Sequence, residues 1–140
     1  MKRSGSDKKI LRITDANYNR AKEGLRVVED LCRFYWQDKT LTRKIRTLRH
    51  ALTNPFKNKT LFKQMLAQRN ARKDIGRPVD KLERERKDIQ DILYANLQRS
   101  KESVRVLEEL SKIIDKKNVS KLKTLRYNLY SFEKCAAKSR

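Results

Sequence analysis

Two Asn/Arg pairs, Asn17 with Arg20 and Asn96 with Arg99, are the residues of this chain best placed to do chemistry. Each pair is spaced i, i+3, so on a helix both side chains share one face. On a helical wheel, Asn17 and Arg20 fall inside an apolar arc of Ala16, Ala21, Gly24, Leu25, Val28, Leu31, Cys32 and Tyr35. Asn96 and Arg99 fall likewise among Ala95, Ser103, Leu107 and Leu110. Glu23, Glu29, Glu102 and Glu108 lie at the flanks, with Arg26 and Arg105 further round. Two accounts follow. In one, each inward Arg pairs with a Glu of the other segment in a buried network. In the other, the pairs converge and leave a cationic cleft, in which planar guanidinium groups grip phosphoryl oxygens. The wheel alone favours the network, since ion-pair networks are common where helices meet.

A second candidate is the loop Lys73-Asp74-Ile75-Gly76-Arg77-Pro78. Asp74, reached from Arg69 and Arg72, could hold Mg²⁺ against a phosphate. The plainer reading is a helix-ending turn in which Gly76 takes a positive φ and Pro78 starts the next helix. Tyr127 and Tyr130 could stack on a heterocycle, although neighbouring Leu125 and Leu129 suggest core. Other catalytic signatures are missing. The glycines at 5, 24 and 76 are too scattered for a phosphate-binding loop, and one histidine, His50, permits neither a Ser/His/Asp set nor a zinc cluster.

The elements that must carry these residues are helices. Only 3 Gly and 2 Pro occur in 140 residues, too few for the turns of a sandwich, barrel or doubly wound sheet. Residues 16–31 (ANYNRAKEGLRVVEDL) return at 95–110 (ANLQRSKESVRVLEEL) with nine of sixteen positions identical, and 44–52 (KIRTLRHAL) return at 121–129 (KLKTLRYNL). The pattern predicts an all-α antiparallel bundle of about five helices, an internal duplication with pseudo-two-fold symmetry. Repeat 1 covers about 13–53, an inter-repeat segment 54–91 and repeat 2 about 92–133, all in one domain over 1–140. Predicted helices run from an N-cap at Asp15 to Gln37, Thr40 to Thr53, Thr60 to Arg72, Val79 to Asp115 and Val119 onward. Gly24 and Ser103 would let two of them approach closely. Lys116, Lys117, Lys134, Lys138 and Arg140 are read as surface.

The charge of +20, from 37 Lys+Arg against 17 Asp+Glu, points to a polyanionic partner. No apolar run approaches the roughly 20 residues that span a bilayer, no secretory signal is evident, and Cys32 and Cys135 form no disulfide framework. A cytoplasmic protein without membrane contact is expected.

The run Asp15-Ala16-Asn17…Arg20…Glu23-Gly24-Leu25-Arg26-Val27…Glu29 resembles the start of a small helical domain linked to thiamine synthesis, in some bacteria fused ahead of thiamine phosphate synthase. The resemblance continues through Leu48-Arg49-His50, Arg69…Asp74-Ile75-Gly76, Arg86, Ala95-Asn96…Arg99…Glu102…Arg105-Val106-Leu107-Glu108-Glu109 and Arg126-Tyr127…Tyr130…Glu133. It implies a stand-alone, monofunctional hydroxymethylpyrimidine phosphate kinase, with ATP and Mg²⁺ as cofactors and a functional link to the synthase. On that view Asn17, Arg20, Asn96 and Arg99 bind phosphoryl oxygens. Asp74 with Glu23 or Glu102 holds Mg²⁺ or orients the substrate hydroxyl. Arg69 and Arg126 add phosphate contacts, and Tyr127 offers a stacking surface. Rival readings are a nucleic-acid-binding module, for which no recognition motif is evident, and a non-catalytic helper docking on the synthase. A homodimer is compatible with the apolar helix faces, but no residue singles one out.

Overall fold

The computed structural model describes residues 4–78 and 85–139. Among them every regular element is helical: α1 (Gly5–Asp30), α2 (Lys39–Thr53), α3 (Lys59–Ala67), α4 (Ile89–Ile114) and α5 (Val119–Ser139). Short 3-10 turns at Asn54–Phe56 and Lys116–Asn118 join α2 to α3 and α4 to α5. The expected bundle of five helices is present, and the repeated blocks fall on α1 and α2, then on α4 and α5.

Side chains close the helix starts. Ser4 Oγ accepts from the Asp7 N–H at 3.1 Å, Asp38 Oδ1 from Leu41 at 2.9 Å, Asn58 Oδ1 from Thr60 at 2.9 Å and Asp88 Oδ1 from Asp91 at 2.7 Å. Each satisfies a backbone donor that a helix N-terminus leaves unpaired. Asp15 is therefore not the cap expected of it. α1 begins ten residues earlier, and Asp15 lies buried in its interior.

Other boundaries also moved. α1 does not run to Gln37 as an α-helix. It loosens into a π-helical turn over Leu31–Tyr35, where Trp36 N–H donates to Leu31 O at 3.0 Å, and the chain reverses at Gln37 with φ 52°. α3 stops at Ala67 rather than Arg72. Residues 85–88 are not helical, and the predicted start at Val79 lies outside the described residues, as does Arg140. The turn at 73–78 is as expected except in its glycine. Gly76 takes no positive φ, and the turn is instead fastened by Gly76 N–H donating to Asp74 Oδ1 at 2.8 Å.

α1 and α4 share the most extensive interface. Leu11, Ala21, Leu25 and Val28 of α1 meet Leu93, Leu97, Val104 and Leu107 of α4 in one core with the leucines of α2 and α5. Full burial of each leucine stabilises the fold by roughly 1.5–3 kcal/mol. Gly24 marks a close approach of the two helices. A Cβ there would overlap Ser100 Oγ and stand 3.0 Å from the Asn96 carbonyl. Ser100 Oγ in turn donates to Ala21 O at 3.3 Å. Gly24→Val should therefore force the two helices apart and cost about 1–3 kcal/mol, read as a lowered midpoint in urea with an unchanged slope.

Candidate functional site

The wheel expectation that Arg20 and Arg99 point inward is overturned: both are exposed. Asn17 is buried, while Asn96 is half-buried. Each Asn spends its side-chain N–H on its own helix, donating to Ile13 O at 2.9 Å and to Ile92 O at 2.8 Å. Asn17 Oδ1 then accepts from Arg20 Nη1 at 3.0 Å, which orients the guanidinium. Tyr35, placed in the apolar arc, is also exposed.

The glutamates that go inside are Glu29 and Glu108, 1% and 3% exposed, whereas Glu23 and Glu102 face outward. Their partners do not come from the other repeat. Arg49 of α2 donates Nε–H to Glu29 Oε1 at 3.0 Å, and Arg26 reaches Oε2 at 3.0 Å. In the second half Arg126 of α5 donates Nε–H to Glu108 Oε2 at 2.7 Å, with Arg105 at 3.6 Å. Arg126 also donates to Tyr130 Oη at 3.2 Å. The Glu108 carboxylate, and after it Tyr130, holds the Arg126 guanidinium well above its ordinary pKa. Arg126 thus serves the interior, and Tyr127 beside it is half exposed, not core.

With the inner acids satisfied this way, Arg20 and Arg99 are left to the surface. They line one cleft of about 320 Å³ with Arg12, Asp15, Asn19, Glu23, Arg69, Asn70 and Asp74. Three segments build it: α1, the turn after α3, and α4. Arg69 is fastened to Asp15 by two bonds of 2.8 Å, Nε to Oδ2 and Nη2 to Oδ1. Those bonds raise its pKa and leave Nη1 over. Arg12 Nη2 donates to Asn70 O at 3.1 Å, tying the same turn to α1. Among the described residues neither Arg20 nor Arg99 has a carboxylate partner. Of the predicted site residues, then, Arg20, Glu23, Arg69, Asp74 and Arg99 stand together, and Asn17 supports them from below. Asn96 and Tyr127 do not line this cleft, and Arg126 is bound to Glu108. Glu102 borders a separate depression with Gln98, Lys101, Arg105 and Tyr130. Asp15, Arg12 and Asn70 are cleft residues that sequence reasoning did not assign. For Asp15 a signal existed, since it heads the run that carries the family resemblance.

Besides Asp15, which Arg69 holds, the cleft carries two carboxylates, Glu23 and Asp74, a number with which Mg²⁺ is ordinarily bound. No group of three or more His, Cys, Asp or Glu side chains assembles among the described residues.

Residues 12–135 match the ThiD2 family. The chain is similar to thiamine-phosphate synthase of Synechocystis sp., 40% identical over 89% of this chain and 35% of that protein. It is also similar to the proteins of that name from Rhodopirellula baltica, at 35% identity over 87% and 32% of the two chains, and from Thermosynechococcus vestitus, at 36% over 89% and 34%. The chain therefore spans about a third of the length of these curated relatives. No solved structure matches it.

The two buried acids differ in how many arginines hold them. Arg126→Ala leaves Glu108 with the half-exposed Arg105 alone and should cost roughly 3–5 kcal/mol. Arg49→Ala leaves Glu29 its bond to Arg26 and the looser approach of Arg46 at 4.0 Å. It should cost measurably less in the same denaturant titration.

Proposed function

The chain belongs to the ThiD2 family, and on that premise we propose that it acts in thiamine biosynthesis as a kinase. The reaction moves the γ-phosphoryl group of ATP onto 4-amino-5-hydroxymethyl-2-methylpyrimidine phosphate and yields the diphosphate and ADP. The observation that carries the reading is the cleft itself: Arg20 and Arg99, from different helices and without carboxylate partners among the described residues, open on one cavity with Arg69. The relatives named thiamine-phosphate synthase support the pathway.

In this reaction a phosphate oxygen of the pyrimidine substrate forms the new bond to the γ phosphorus. The bond from that phosphorus to the β–γ bridging oxygen breaks. The attacking oxygen belongs to a phosphate whose second pKa is about 6, so it is already ionised near neutrality. No hydroxyl has to lose a proton, and the orienting role considered for Glu23 and Asp74 is not needed. Those carboxylates would hold Mg²⁺, which supplies charge neutralisation across the phosphate chain. Arg20, kept in place by Asn17, and Arg99 bring two phosphorylated substrates together against their mutual repulsion. Arg69 offers Nη1, its other donors being tied to Asp15. With no glycine-rich loop, side chains replace the backbone N–H cradle.

Arg20→Ala and Arg99→Ala should each lower turnover with ATP, Mg²⁺ and the pyrimidine monophosphate by on the order of a hundredfold, or roughly 3 kcal/mol of transition-state stabilisation. Both residues are exposed, so the fold should be retained by circular dichroism. Wild-type turnover in both folded variants would sink the cleft assignment. Binding to thiamine phosphate synthase without any ATP consumption by the native chain would instead identify a helper.

A further inference from the structure

A larger cleft lies beyond the C-terminal end of α1. It measures about 660 Å³ and is bordered by the π-helical turn, by the reversal after it and by the face of α2 that runs from Lys39 to His50. Four cations line it, Arg33, Lys39, Arg43 and Arg46, against one acid, Asp38. The Asp38 carboxylate is already engaged, accepting from Leu41 N–H at 2.9 Å to cap α2. Arg46 approaches Glu29 only to 4.0 Å, and that carboxylate is held more closely by Arg26 and Arg49. Lys39 and Arg43 have no carboxylate partner among the described residues. Among the described residues, the local excess of positive charge is thus not compensated by nearby carboxylates.

Two further features distinguish this cleft from a solvated basic face. Phe34 lines it with 62% of its surface exposed, and the Arg33 guanidinium lies 4.6 Å from the ring centroid. An exposed aromatic beside a stacked guanidinium is a platform that a heterocycle can extend. Gln37, also on the wall, has φ 52°, a left-handed conformation that costs a non-glycine residue energy and that concentrates at ligand sites. The volume falls in the range of roughly 300–1,000 Å³ typical of small-molecule pockets.

We propose that this cleft binds a nucleoside polyphosphate, with the base on Phe34 and the phosphates on Arg43, Arg46 and Lys39. The charge matches: three net positive charges suit a triphosphate, and a ring with a phosphate chain uses both the aromatic and the cationic parts of the wall. Glu23 and Arg33 are ten residues apart on the same helical stretch, about 15 Å along its axis. The cleft is therefore distinct from the one around Arg20 and Arg99. The inference does not rest on the kinase reading, since a chain without turnover would still hold a nucleotide here.

The test is a titration of the full chain with N-methylanthraniloyl-ATP in Mg²⁺ buffer, followed by fluorescence. Phe34→Ala and Arg43→Glu, both at exposed positions, should each weaken binding by on the order of tenfold or more while circular dichroism stays native. Arg20→Ala and Arg99→Ala, measured alongside, tell the two clefts apart. Loss of binding in Phe34→Ala and Arg43→Glu that exceeds any loss in these two supports a site of its own, and loss in Arg20→Ala and Arg99→Ala alone would place the nucleotide in the first cleft and overturn the proposal. Affinities within twofold of wild type for both Phe34→Ala and Arg43→Glu would overturn the proposal. So would a native chain that retains single-stranded RNA but not the analogue, or that retains neither.

Discussion

The crossing of α1 over α4 at Gly24 is the constraint from which the rest of the molecule follows. With no side chain at 24, the Asn96 carbonyl and Ser100 come into direct contact with α1. That distance decides which residues are sealed between the helices and which stay at the rim. Ala21, Leu25, Leu97 and Ser100 are sealed completely. Arg20 and Arg99, next to Ala21 and Ser100 in sequence, are left at the rim. A bulkier crossing would spread the two arginines and open the seam beneath them.

A second layer of organisation is electrostatic. Glu29 and Glu108 are inside the bundle, and charged groups stay inside only when paired. Each is met by an arginine from the helix that follows, so the ion pairs fasten α1 to α2 and α4 to α5. This leaves the arginines of the crossing without an internal task. The arrangement separates positive charge that stabilises the fold from positive charge that can meet a ligand. The +20 total by itself conceals that division.

Much of the architecture was legible in the residues. Scarce glycine and proline with helical apolar spacing give five helices, and Gly24 was recognisable as a contact point. The turn around Asp74 was also recognisable, though its fastening is an aspartate side chain rather than a glycine conformation. What could not be read was which flank of an amphipathic helix faces inward. A wheel ranks Glu23 and Glu29 alike, but burial is decided by Arg49, 20 residues away, arriving from α2. Asp15 resembled a cap because capping is local chemistry; its actual partner, Arg69, is 54 residues distant. The same limit hid the outward turn of Arg20 and Arg99. Their exposure depends on how far α1 and α4 are apart, a property of the pair and not of either helix.

The turn that follows α3 shapes how a ligand would reach the first cleft. Residues 69–78 are exposed throughout, and their ties to α1 are polar: Arg69 to Asp15 and Arg12 to Asn70. A wall of exposed residues held by a clasp of guanidinium contacts can open by local unfolding at little free-energy cost while the bundle stays intact. A bound anion that touched Arg69 from one side and Arg20 or Arg99 from the other would close the clasp. Occupancy and order of this segment are then thermodynamically one equilibrium, and binding would tighten the molecule where its own core does not extend.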